Sequence, residues 1–96
     1  MMKHCIIVKW NSLVTDKKLM AVNAKKVFEK LRSVPGIHEI KIYENVIERS
    51  NRFDLMICIE MDKEILHVYD ESSPHVEWKQ KFGKFVENKA VFDYED

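Results

Sequence analysis

Glycine, proline and cysteine are scarce in this sequence, with two residues of each among 96. Few glycines and prolines leave no room for a flexible linker or a low-complexity segment. Two cysteines do not make a disulfide framework, so Cys5 and Cys58 are expected to be buried free thiols in a reducing, cytoplasmic setting. Sixteen basic residues balance sixteen acidic ones, and the resulting lack of net charge gives no general attraction to nucleic acid or anionic lipid.

Several motifs of known chemistry are also missing. No apolar run is long enough to span a membrane, and the one near the N-terminus is too short for a signal peptide. There is no glycine-rich phosphate loop, Walker motif or nucleophile elbow. The four histidines lack the i, i+4 pairing of a metal site. We therefore predict one domain over residues 1–96, with no metal, no cofactor, no nucleic-acid partner and no membrane partner.

Hydrophobic periodicity and turn signals predict four strands and three helical segments. The predicted strands are 3–10, 37–46, 53–61 and 90–94. The predicted helices are 16–34 with Thr15 as cap, 63–70 with Asp62 as cap, and a last one that runs from a Ser73 cap and Pro74 to about Val86.

This order, β-α-β-β-α-β with a divided second helix, is typical of a ferredoxin-like α+β sandwich, in which helices cover one face of a four-stranded antiparallel sheet. The first and third strands carry apolar residues on both faces. Because the helices cover one face only, the other face needs a partner sheet, and the pattern predicts a homodimer. Which face of the first strand meets the helices stays open at this stage.

Three side chains that can exchange protons share the phase of buried apolar neighbours: His4, Tyr69 and His75. A single buried histidine or tyrosine is most often a hydrogen-bonded core residue. Three of them, beside a Ser-Ser-Pro turn that opens a helix, favour a pocket. The other two histidines, His38 and His67, have the phase of surface residues.

Short motifs in a characteristic order cover nearly the whole chain. They are Lys3-His4 and Lys9-Trp10 in the first strand, Val34-Pro35-Gly36-Ile37, Asn45-Val46, Phe53-Asp54, Tyr69 with His75 six residues on, and Phe92-Asp93-Tyr94. Together they resemble the stress-responsive dimeric α/β barrel (Dabb) domain family. The resemblance implies a ferredoxin-like homodimer, in agreement with the pattern of the strands.

The family includes a plant polyketide cyclase that works without metal or organic cofactor. The resemblance implies a catalytic histidine at His75, a catalytic tyrosine at Tyr69 and a pocket histidine at His4. In that chemistry an imidazole removes a proton next to a carbonyl, and a phenol hydrogen-bonds the oxygen that gains charge.

Three functions remain open at this stage. The first is a barrel without activity that binds a small apolar or aromatic molecule in a stress response. The second is a cofactor-free cyclase-like or isomerase-like lyase that uses the histidines and the tyrosine as acid and base. The third is a cofactor-free monooxygenase, which fold-level analogy alone supports.

Overall fold

The computed structural model describes residues 1–96 and confirms the β-α-β-β-α-β order. The strands are β1 (Met2–Trp10), β2 (Ile37–Glu44), β3 (Leu55–Met61) and β4 (Val86–Glu95). The α-helices are α1 (Lys17–Glu29), α2 (Leu66–Glu71) and α3 (Ser73–Phe82), and short 3-10 turns lie at Lys30–Ser33, Lys63–Ile65 and Gly83–Phe85. None of the helices combines the length and the apolar character needed to cross a bilayer.

The four strands form one antiparallel sheet in the order β2-β3-β1-β4, and the helices pack on one of its faces. The predicted α+β, ferredoxin-like class is therefore confirmed. Helix α1 buries Ala21, Ala24 and Phe28, which recur at the spacing of one helical face. At the centre of the core, the Trp78 ring lies 5.1 Å from that of Phe28 and 4.7 Å from that of Phe82, measured between centroids.

The first helix begins and ends at other residues than predicted, because local hydrogen bonds determine which residue caps it. Asp16 caps α1 instead of Thr15, and its carboxylate accepts the Leu19 N–H at 3.0 Å. Regular α-helix stops at Glu29, and a 3-10 turn fills most of the predicted distance to Val34. These shifts move the ends of α1 without changing the face it buries.

The second helical region also differs in its ends. Ser72 caps α3 instead of Ser73. The helix ends at Phe82 rather than at Val86, which already belongs to β4. Asp62 precedes the short helical segment as predicted but makes no capping bond, because its carboxylate accepts instead from His38 Nε2 at 2.8 Å.

Two strands are shorter than predicted and two are longer, β1 by Met2 alone. Strand β2 ends before Val46 and β3 begins after Phe53, so the connection between them is longer than predicted. Strand β4 begins at Val86 instead of residue 90, because its pairing with β1 extends back to Trp10.

The side of the sheet that His4 faces is now defined. His4, Ile6, Val8 and Trp10 are buried under the helices. The opposite face of the sheet, which we call the open face, carries Cys5, Tyr43, Phe92 and Tyr94. Phe92 is 66% exposed there. No element of the chain covers the open face.

Candidate functional site

Strand β1 and helices α2 and α3 bring the three predicted site residues together. The His4 and Tyr69 rings meet edge to face with centroids 5.1 Å apart, and the Tyr69 and His75 rings are 4.7 Å apart. Tyr69 is fully buried between a buried His4 and a half-buried His75. The other two histidines, His38 and His67, are exposed, as predicted.

The turn between α2 and α3 is held by Ser72, which the sequence analysis passed over in favour of Ser73. The Ser72 hydroxyl donates to the Tyr69 carbonyl oxygen at 2.7 Å and accepts the His75 N–H at 3.4 Å. The Ser72 side chain therefore hydrogen-bonds the backbone of both Tyr69 and His75. Its role follows from the N-cap position, where a serine oxygen satisfies an otherwise free amide of the first turn.

The His75 ring is fixed by the same turn. Its Nδ1 lies 2.8 Å from the Asp70 carbonyl oxygen. Because a carbonyl oxygen only accepts, Nδ1 carries the hydrogen, and in the neutral ring Nε2 keeps its lone pair. His75 is thus set up as a proton acceptor at Nε2.

The His4 ring is fixed in the same way by Asp93, which belongs to one of the family motifs but was not predicted as a site residue. His4 Nδ1 hydrogen-bonds the Asp93 carboxylate, since β4 pairs His4 directly with Asp93. An ionised carboxylate only accepts, so His4 also donates from Nδ1 and keeps Nε2 available. The carboxylate also stabilises the imidazolium that forms when His4 takes up a proton.

The Tyr69 hydroxyl is buried and has no hydrogen-bond partner in the protein. Burial, followed by the nearby carboxylates of Asp70 and Asp93, raises the pKa of Tyr69 well above its usual value of 10.0. The phenol therefore keeps its proton across the physiological range. The neutral Tyr69 O–H is therefore a hydrogen-bond donor with no acceptor in the chain.

A pocket of about 240 Å³ is lined by His4 and His75, and Tyr69 is buried behind it. His4, Asp70, His75 and Lys89 supply its polar lining, and the apolar part of the wall consists of Ile6, Leu66, Trp78 and Val91. Half of the lining residues are polar and half are apolar, so the pocket offers both hydrogen-bonding groups and an apolar wall to a small molecule. No three His, Cys, Asp or Glu side chains lie together as a set of metal ligands would.

The sequence motifs and the structure point to the same family. The model of the stress responsive A/B barrel domain (Dabb) family matches residues 2–96. The chain therefore belongs to the Dabb family. No curated protein matches the sequence.

Solved structures with the same fold include two bacterial proteins and one plant enzyme. A dimeric protein of unknown function from Bacteroides fragilis has a TM-score of 0.80 at 22% identity, over 99% of this chain and 95% of that one. A Dabb family protein from Mesorhizobium loti has a TM-score of 0.73 at 17% identity, over 99% and 95%. The hydroxynitrile lyase of Passiflora edulis has a TM-score of 0.74 at 16% identity, over 97% and 90%. At these identities the likeness establishes the shared fold.

Proposed function

We propose that this protein is a cofactor-free acid–base enzyme that acts on a small carbonyl compound, in the manner of a cyclase-like or isomerase-like lyase. The single observation that carries the proposal is the buried Tyr69 hydroxyl, which lacks a partner although the Tyr69 ring lies between two imidazole rings. A residue that only packs the core has its polar atoms satisfied or exposed. An unsatisfied donor on a ring that contacts two imidazole rings suits a substrate oxygen that gains charge during reaction.

The roles follow from the hydrogen bonds of each group. His75 Nε2 takes a proton from the carbon next to the substrate carbonyl, and the electrons of that C–H bond move into an enolate. The Tyr69 hydroxyl donates to the enolate oxygen and stabilises its charge. His4, backed by Asp93, lies on the other side of Tyr69 and returns or relays the proton. The enolate then attacks a second carbonyl or is reprotonated at another carbon.

Pocket size and one fold neighbour bear on the substrate class. A volume of about 240 Å³ suits a small apolar or aromatic molecule rather than a large cofactor. One protein of the same fold is a lyase, named for hydroxynitriles. The fold that the two proteins share is therefore compatible with an enzyme of this kind. The alternative function is ligand binding without turnover, and the test below distinguishes it from catalysis.

We also propose that the working form is a homodimer whose two open faces pack together. Phe92, Tyr94 and Tyr43 are exposed large side chains on the open face, which is covered by nothing in the chain. Exposed apolar patches of this kind mark interaction sites. The Bacteroides fragilis neighbour is described as dimeric.

The test of the enzymatic proposal is exchange of carbon-bound protons for deuterium. Small ketones and 1,3-diketones are incubated with the protein in D2O, and the loss of the proton signal next to the carbonyl is followed by NMR. We expect the wild-type protein to exchange these protons faster than an equal concentration of imidazole does. His75→Gln should slow the exchange by roughly 10²–10⁴-fold, which is the usual contribution of a general base. His67→Gln is the matched control, because His67 is exposed on the adjacent helix α2. Exchange no faster than that of imidazole, or equal in wild type and His75→Gln, contradicts the proposal.

A further inference from the structure

Lys89 lies on the side of the sheet that faces the site. The register pairs His4 with Asp93, Ile6 with Val91 and Val8 with Lys89, so the three β4 residues share the helix-facing side with their β1 partners. Strand β4 is at the edge of the sheet, and Lys89 is exposed there while it lines the same pocket as His4 and His75. Lys89 therefore lies along β4 at the end of the pocket away from Asp93.

A second hollow adjoins the first at this end. It has a volume of about 270 Å³ and shares Trp78 and Lys89 with the site pocket. The second hollow adds Lys79 of α3 and no acidic residue to its lining. Neither Lys79 nor Lys89 forms a salt bridge, in contrast to Lys30 and Lys81, which share Glu77 nearby. Two lysines thus line one hollow that has no carboxylate among its lining residues.

Charge is divided between the two ends of this joint groove. Asp70 lines the acid–base end, and Asp93 holds His4 there. Lys79 and Lys89 line the other end. Four residues of strand separate Asp93 from Lys89, or roughly 13 Å between Cα atoms. An anionic group is therefore repelled at the acid–base end and attracted at the lysine end, and this gives an elongated ligand one preferred orientation.

We propose that the substrate is an oxo acid, a carbonyl compound with a carboxylate at its other end. Lys79 and Lys89 bind the carboxylate, and Trp78, between the two hollows, contacts the apolar part. The carbonyl then lies at Tyr69 and His75. This inference rests on the function proposed above and adds the substrate class to it. Lys79 and Lys89 determine specificity and take no part in the proton transfer.

The test compares two probes of nearly the same shape, 4-acetylbenzoate and 4-acetylbenzamide. Each carries the carbonyl at one end and the apolar ring in the middle, and the other end is a charged carboxylate or an uncharged amide. Binding is followed by NMR titration of the backbone amide and histidine ring signals. Charge-assisted hydrogen bonds are about twice as strong as neutral ones. We therefore expect wild type to bind the acid roughly tenfold more tightly than the amide, with shifts of the His4 and His75 signals. The double variant Lys79→Gln/Lys89→Gln should lose this preference and bind the amide as before.

The matched control is Lys25→Gln/Lys26→Gln, which removes the same charge from two exposed positions on α1. It should retain the preference for the acid. Equal affinity for the two probes, or an unchanged preference in the Lys79/Lys89 variant, overturns the inference. If both probes bind equally and still shift His4 and His75, the acid–base site stands without the lysines. If neither probe shifts those signals, the inference and the proposed site fail together.

Discussion

The His4 ring on β1 packs edge to face against the Tyr69 ring on α2, and the hydroxyl of Tyr69 is left without a hydrogen bond in the protein. A buried hydroxyl without a partner destabilises a fold by about 1–3 kcal/mol. Phenylalanine at this position would keep the ring contacts and avoid that penalty. The hydroxyl is therefore better explained by a ligand than by packing.

Tyr69→Phe should separate stability from activity. We expect its free energy of unfolding to rise by roughly 1 kcal/mol, because an unsatisfied buried group is removed. The rate at which carbonyl substrates exchange their carbon-bound protons for deuterium should fall by roughly 10²–10³-fold, as when a hydrogen-bond donor to an oxyanion is lost. Urea unfolding and the deuterium-exchange assay measure the two effects. Tyr43→Phe, on the open face away from the pocket, should leave the rate of exchange unchanged. A clear loss of stability in Tyr69→Phe would mean that the hydroxyl is satisfied in the fold.

The two serines of the α2–α3 turn allow a matched comparison. Ser72→Ala removes the cap of α3 and the bond to the Tyr69 carbonyl, so unfolding should become easier by about 1 kcal/mol. Activity should fall as well, because the bonds that orient Tyr69 and His75 are lost. Ser73→Ala should have little effect, since the exposed Ser73 side chain makes no hydrogen bond. Equal effects of the two substitutions would contradict the assignment of Ser72 as the positioning residue.

The sequence predicts the elements of this fold better than their contacts. Alternation and helical spacing place His4, Tyr69 and His75 on buried faces, and the structure brings the three rings together. Asp93 has no such signal, because its link to His4 depends on the β1–β4 register, which a single sequence does not define. Ser72 and Ser73 are chemically identical candidates for a cap. The backbone geometry of the turn decides between them.

Asp93→Asn tests the carboxylate behind His4. The amide oxygen can still accept from Nδ1–H, but the negative charge that stabilises the imidazolium is gone. Since a hydrogen bond to a charged group contributes about 1.5–3 kcal/mol, turnover should fall by roughly 10- to 100-fold. Circular dichroism should stay unchanged. Asp96→Asn, which removes a carboxylate that pairs with Lys3 at the surface, is the control. Full activity in Asp93→Asn would exclude His4 and Asp93 from the reaction.

The free thiols predict a decline in stability at alkaline pH. Burial and a contact of 3.2 Å with the Cys58 sulfur raise the pKa of Cys5 well above its usual value of 9.0. The folded chain therefore holds a proton that the unfolded chain releases, and this contribution is present below pH 9 and lost as the pH rises further. Tyr69, whose pKa is also raised, acts in the same direction above pH 10. Urea unfolding at pH 7 and pH 10 should show a smaller loss of stability in Cys5→Ala than in wild type. An equal loss in both would contradict this account of Cys5.

Phe92→Asp tests the homodimer and its surface together. Phe92 lies opposite Cys5 on the open face, so a carboxylate there would be buried without a partner if two sheets pack face to face. Such a charge is strongly unfavourable, and the variant should be monomeric. Light scattering after size exclusion should give wild type twice the chain mass of 11.5 kDa and the variant that mass alone. Leu19→Asp is the control, because Leu19 is comparably exposed, at 53%, on helix α1 away from the open face. The Leu19→Asp variant should remain dimeric. In Phe92→Asp, the NMR signals of the His4 and His75 rings should show whether the site keeps its structure in a single chain. A wild-type protein of single-chain mass, or loss of the dimer in Leu19→Asp as well, would contradict packing through the open face.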